Sequence, residues 1–254
     1  MGAAAVARMS RAAARAEAVQ PYGPGDAARL SARFEGASAA ALLEAVLTDP
    51  RFGRVALVSS FGADSAVLLH LASRIDRSVP VLLLETGKLF PETLAYAEQL
   101  AAHLGLSDVR QIRPEAATLA ARDPAGLRWS WDPDGCCAMR KVAPLESALM
   151  DFDLSISGRK RHQAETRAAL ALFEADGPRL KANPLAGWTR AMLAAHMAAH
   201  ALPPHPLVAS GYASIGCSPC TSPVRPGEDP RAGRWRGWDK TECGIHGRGS
   251  EPAF

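Results

Sequence analysis

Residues 55–72 read Val55-Ala56-Leu57-Val58-Ser59-Ser60-Phe61-Gly62-Ala63-Asp64-Ser65-Ala66-Val67-Leu68-Leu69-His70-Leu71-Ala72. Val55–Val58 is apolar without a period of two, as in a parallel strand buried on both faces. Small residues follow as a turn, and the apolar run from Ala66 reads as a buried helix. Strand, small-residue turn and helix form the first half of a βαβ unit.

The same grammar recurs outward from this stretch. Val79–Leu84 is a second strand, bounded by Glu85-Thr86-Gly87, and a helix then opens on Pro91 and closes at Gly105. Val109–Ile112 and Asp153–Ser157 supply further strands, separated by helical stretches at 114–122 and 136–149. Upstream, residues 26–48 read as one helix stopped by Asp49-Pro50. Downstream come strand-like pieces at 169–173 and 179–182, a helix over Thr189–Ala201, and mostly loop from Leu202. The pattern predicts an α/β fold with an open, mostly parallel sheet and helices on both faces. This unit is expected to span 26–215, after a disordered tail at 1–25 and before an irregular C-terminal segment at 216–254 whose end, around Cys243, is expected to be mobile.

A chain of 254 residues with 48% hydrophobic and 22% charged residues can bury a full core. Its net charge of +3 is too small and too dispersed to indicate nucleic acid, yet suits a small anionic substrate. No apolar run is long enough to span a membrane. The Ala-rich, basic N-terminus resembles either a transit peptide or a plain tail, and it has no secretory apolar region. The expected compartment is the cytoplasm, where five cysteines read as metal ligands or catalytic thiols rather than disulfides. A homo-oligomer is compatible with this composition.

Ligands of an open α/β sheet bind beyond the carboxyl ends of its strands, where Ser59–Ser65 lies. Small residues allow backbone N–H groups to approach an anion, three serines add donors, and Asp64 suits a helix N-cap. The segment reads equally as a tight connection with an ordinary cap. The cysteines sharpen the reading. Cys217-x-x-Cys220 can grip a metal or close a redox disulfide, and Cys136-Cys137 is either a ligand pair or two buried thiols. Together they make four soft ligands for zinc or an iron–sulfur cluster, and the tandem pair favours [4Fe–4S]. Lys141, one helical turn past Cys137, would bring a positive charge beside them. Cys243 is left over: an incidental thiol, or a nucleophile where cations lower its pKa.

Ser60-Phe61-Gly62-Ala63-Asp64-Ser65 resembles the nucleotide loop of the PP-loop superfamily, adenine nucleotide α-hydrolase-like in fold, although that family's lysine is missing. Wider likeness then extends over residues 55–246. It is carried by Glu85-Thr86-Gly87-Lys88-Leu89-Phe90-Pro91, Cys136-Cys137-x-x-Arg140-Lys141, Ser157-Gly158-Arg159-Lys160-Arg161, Gly216-Cys217-x-x-Cys220-Thr221, Glu228–Trp235 and Glu242-Cys243-Gly244-Ile245-His246. In this order they resemble the iron–sulfur branch of the assimilatory PAPS/APS reductase family. The resemblance implies reduction of adenosine 5′-phosphosulfate to sulfite and AMP in sulfate assimilation and cysteine biosynthesis, with thioredoxin or a glutaredoxin-like protein as reductant. Cys243 would be the nucleophile, and Cys136, Cys137, Cys217 and Cys220 would hold one [4Fe–4S] cluster. Substrate contacts would come from Ser59, Ser60, Phe61, Gly62, Asp64, Ser65, Glu85, Thr86, Lys141, Gly158, Arg161, Arg231, Arg234 and His246, the last serving as a cation beside Lys141 and the arginines.

Three departures stand out: Glu85 where the family has Asp, Lys160-Arg161-His162 where it has Arg-Arg-Asp, and a short tail between Trp235 and Cys243. The competing readings are use of the 3′-phosphorylated nucleotide or of both nucleotides, an ATP-dependent tRNA-thiolating enzyme, and a non-enzymatic cluster- or zinc-binding regulator.

Overall fold

The computed structural model describes residues 22–246. The tail expected at 1–25 falls mostly outside them, and α1 already starts at Pro24 (Pro24–Arg33). The single helix expected at 26–48 is two. Gly36 at φ 76° ends the first, and Ser38 caps α2 (Ala39–Thr48), its Oγ accepting from the Ala41 N–H at 3.1 Å.

Six strands then form one sheet: β1 (Val55–Val58), β2 (Val81–Leu84), β3 (Val109–Ile112), β4 (Leu154–Ser157), β5 (Phe173–Asp176) and β6 (Arg179–Ala182). Their order is β3-β2-β1-β4-β6-β5, parallel throughout except for the β5–β6 hairpin at the edge. The expected strand at 169–173 lies further on, since Gly177-Pro178 makes the hairpin turn and aligns Asp176 opposite Arg179.

One face is covered by α2, α3 (Ser65–Ser73), α4 (Pro91–Leu104) and α8 (Arg190–Ala199). Leu43, Leu57, Leu69, Leu100, Ile156 and Phe173 meet there in the larger core. The other face carries a smaller one, in which Leu145 and Leu149 pack on Ala56, Leu82 and Phe152. Short α5 (Ala116–Arg122) lies between.

The helix on this second face begins earlier than expected, at Pro133, because Asp132 caps it: its Oδ1 accepts from the Gly135 N–H at 2.8 Å. It runs as α6 (Pro133–Cys137), a wider π turn (Ala138–Val142) and α7 (Ala143–Leu149). Pro144 has no N–H and would clash with the carbonyl four residues back, so the turn before it opens out. This widened turn buries Met139, Arg140 and Lys141 together.

The chain reverses its winding between β1 and β4, making the crevice beyond their carboxyl ends the topological switch point. No helix among the described residues is long and apolar enough to cross a membrane. Leu69 on α3 is fully buried. Leu69→Ala is expected to cost about 2–5 kcal/mol, lowering the melting temperature by at least about 4 °C. A change below 1 °C in a thermal melt would contradict the packing described.

Candidate active site

A cavity of about 410 Å³ opens at that switch point, within the size range of nucleotide-binding clefts. Its floor is the Ser59–Ser65 loop. The Ser59 N–H still bonds to the Leu82 carbonyl at 3.0 Å, extending the sheet by one residue. Phe61 then takes φ 47°, its N–H donating to Ser59 Oγ at 3.2 Å while its ring enters the core. A β-carbon at Gly62 would lie 3.3 Å from Ser60 Oγ and 3.4 Å from the Ile215 carbonyl. The C-terminal segment therefore passes directly over the loop.

Asp64 occupies the cap position of α3 without making a capping bond. Its carboxylate instead receives Lys160 Nζ at 3.1 Å, from the loop after β4. Burial pushes the Lys160 pKa down, and Asp64 opposes that shift. Seven cations line the cavity (Lys141, Arg159, Lys160, Arg167, Arg190, Arg231 and Arg234) against two carboxylates, Asp64 and Glu242. Such an excess favours a small polyanion.

Ser59, Ser60, Gly62, Asp64, Ser65, Lys141, Gly158, Arg231, Arg234, Cys217, Cys243 and His246 line this cavity. Four nominated substrate contacts do not, nor do Cys136, Cys137 and Cys220. Phe61 anchors the loop from below. Arg161 is exposed, and its Nε donates to the Leu170 carbonyl at 2.9 Å, away from the cleft. Glu85 accepts from the Gly87 N–H at 2.7 Å and faces Arg113 at 3.3 Å. Thr86 is buried, its Oγ1 3.2 Å from Cys217 Sγ. His246 is inside the cavity but is no cation. Burial, followed by Arg159, Lys181, Arg167 and Arg231, holds its pKa well below the ordinary value, and its buried Nδ1 has no partner.

Arg159, Arg167 and Arg190 were not singled out from sequence. Arg159 sits inside the quoted Gly158-Arg159-Lys160-Arg161 motif, where residue type does not tell which cation turns inward. Arg167 and Arg190 lie in segments without a motif.

Cys136, Cys137 and Cys217 are buried, with Cys220 half-buried. Antiparallel bridging of Cys217 to Leu89, with the Ser218 N–H on the Lys88 carbonyl at 2.7 Å, brings the late pair beside the end of β2. The Arg234 guanidinium lies directly against Gly216, where a β-carbon would displace it. Burial raises the pKa of Cys136 and Cys220, and takes Cys137 up to about 11. Cys217 and Cys220 add to the upward shift of Cys136, and Cys217 and Cys137 to that of Cys220, so the four thiols are close enough to act on one another's charge.

Lys141 is buried in the π turn and joins no ion pair among the described residues. Burial alone would depress its pKa. Thiolate charge at Cys217, Cys243 and Cys137 reverses this and holds it above the ordinary value. Arg140 beside it serves structure, bonding to Asp123 at 2.6 Å and to the Thr86 carbonyl at 2.7 Å.

The C-terminal segment is docked rather than loose. Thr221 bridges Arg234, and Arg234 and Lys240 both lie over the buried Trp235 ring, at 4.5 and 5.5 Å. Glu242 receives both Arg167 Nε and Nη2 at 2.7 Å, with Arg231 Nη2 at 3.4 Å. Cys243 is thereby held half-buried at the cavity wall.

A mostly parallel sheet with its cleft at the switch point and a serine-rich loop after β1 defines an open α/β protein that takes its ligand beyond the strand ends. Residues 54–223 match the model of the phosphoadenosine phosphosulfate reductase domain. The chain is 52% identical over 227 residues to the adenosine 5′-phosphosulfate reductase of Chelativorans sp. (strain BNC1), covering 89% of this chain and 93% of that one. It is 56% identical over 197 residues to the Mesorhizobium japonicum enzyme of that name, 78% of each chain being covered. In fold it resembles a phosphoadenylyl-sulfate reductase from Candida auris, with TM-score 0.65 and 23% identity over 80% of this chain and 98% of that one. The chain belongs to the phosphoadenosine phosphosulfate reductase family.

Two outcomes follow from the docked tail. Glu242→Gln removes a charge-assisted pair of about 1.5–3 kcal/mol, so alkylation of Cys243 should quicken about tenfold or more; an unchanged rate would show that the pair does not hold the tail. His246 has a folded pKa below its unfolded value near 6.5. Its contribution to docking is then complete above that value and lost as pH falls below it. Limited proteolysis should cut the tail faster at pH 5.5 than at 7.5, with His246→Gln flattening the difference.

Proposed function

We propose that this chain reduces adenosine 5′-phosphosulfate to sulfite and AMP, with Cys243 as nucleophile. The observation that carries this reading is the lodging of the Cys243 thiol in the wall of a cation-rich nucleotide cleft, facing Lys141. The names of its relatives support the same reaction.

The nucleotide's phosphosulfate sits on the Ser59–Ser65 loop at the start of α3, where backbone N–H groups and hydroxyls meet its charge. A thiolate approaching this anion meets like-charge repulsion, which nearby cations offset. Lys141, Arg231 and Arg234 supply them, and neutral His246 does not. Cys243 Sγ attacks sulfur; the sulfur–oxygen bond to phosphate breaks, and AMP leaves as a stable phosphate needing little acid assistance. The product on the chain is a Cys243 thiosulfonate. A thiolate of thioredoxin, or of a glutaredoxin-like protein, then attacks Cys243 Sγ. Sulfite departs with the electron pair, and the reductant's second thiol resolves the mixed disulfide, restoring Cys243 and leaving the reductant oxidised.

Cys136, Cys137, Cys217 and Cys220 would hold one [4Fe–4S] cluster, and two observations fit it: four soft donors acting on one another's charge, and a buried ammonium with no carboxylate partner among the described residues. When bound, the cluster supplies fixed negative charge beside Lys141 rather than electrons. The domain reading follows: the cluster ties the segment beginning at Gly216 to the α/β unit, leaving the part around Cys243 to dock and release. Arg161 and Glu85 lie outside the lining of the cleft and carry no step of this reading, while Thr86 reaches Cys217.

Cys243→Ser should keep its iron and acid-labile sulfide and lose sulfite release by at least about 10³-fold. Retained activity would overturn the assignment. In the same assay the 3′-phosphorylated nucleotide should react more slowly; equal rates would overturn the substrate choice.

A further inference from the structure

Away from the cleft, on the seam between α3 and α8, three imidazoles converge. His70 lies on α3, while His196 and His200 lie four residues apart on one face of α8, His200 as its C-cap. One nitrogen from each falls within 4.8 Å of the others. His70 Nδ1 and His196 Nε2 are 3.0 Å apart. Ring centroids are 5.1 Å apart for His70–His196, 4.5 Å for His70–His200 and 4.4 Å for His196–His200. An N–H···N bond accounts for the first pair but not for the third ring in the same small volume.

We propose that His70, His196 and His200 form a binding site for a borderline divalent transition metal, zinc above all, that clamps α8 to α3. Three imidazoles with one open position are a common zinc donor set. Bonds of 2.0–2.1 Å place tetrahedral nitrogens about 3.3 Å apart, within a few tenths of the His70–His196 separation. The exposed His200 leaves the fourth position to water. Trp188 packs edge-on against His196 at 5.6 Å and fixes its plane. This site uses no cysteine.

Cluster-intact protein, equilibrated with micromolar zinc chloride and desalted, should carry one zinc per chain besides its iron and melt at a higher temperature. His200→Ala, at an exposed position that the fold tolerates, should weaken zinc binding at least about tenfold and remove the thermal gain. His196→Ala with His200→Ala should abolish both, with iron content and sulfite release unchanged. Wild-type protein holding no more zinc than the double variant would overturn the proposal. So would zinc gained only as iron is lost, which would locate it on the cysteines.

Discussion

Everything at the cleft depends on one awkward charge. Lys141 is buried in a π turn with no carboxylate beside it, and an isolated buried ammonium is expensive enough to lose its proton. It keeps the proton only where thiolate charge surrounds it. Cys137 comes from its own helix, Cys217 from a loop eighty residues later, and Cys243 from the tail. The Cys137 thiol is itself costly to ionise in that setting, burial pushing it up to about 11 while Lys141 opposes the shift. Ammonium and thiolates are affordable only together, and this mutual requirement joins helix, cysteine loop and tail into one assembly.

Pro144 stands behind that arrangement. It prevents a regular turn over residues 138–142, and the wider turn lets Arg140 and Lys141 enter the interior as neighbours with separate duties. Arg140 holds Asp123 and the Thr86 carbonyl, fixing the end of β2. Thr86 reaches Cys217 from there. A short path of polar contacts thus runs from a helix irregularity to the cysteine loop.

The sheet and its switch point were legible in the sequence because buried parallel strands and their turns are local patterns. Misread elements had tertiary causes: Gly36 splits an apparently continuous helix, and the β5–β6 turn shifts a strand along. At the site, residue types were legible and directions were not. In Gly158-Arg159-Lys160-Arg161 all three cations look alike, yet Lys160 reaches Asp64 while Arg161 turns out to the Leu170 carbonyl. His246 looked cationic because sequence does not reveal burial. The tail looked loose because its restraints, Arg167 with Glu242 and Thr221 with Arg234, join residues distant in sequence and carry no period.

Those restraints also fit a two-stage use of Cys243. Nucleophilic attack needs the thiol inside the cleft, where Lys141, Arg190 and Arg234 are the lining cations without a carboxylate partner among the described residues. Exchange with a second protein's thiol needs the same sulfur outside. Glu242 adjoins Cys243, so the pair that it makes with Arg167 acts within one residue of the reacting atom. A contact of about 1.5–3 kcal/mol keeps the thiol docked for most of the time and still releases it often on the timescale of turnover. A fully desolvated lock would favour the first step at the expense of the second. The half-buried carboxylate at this position is a compromise between them.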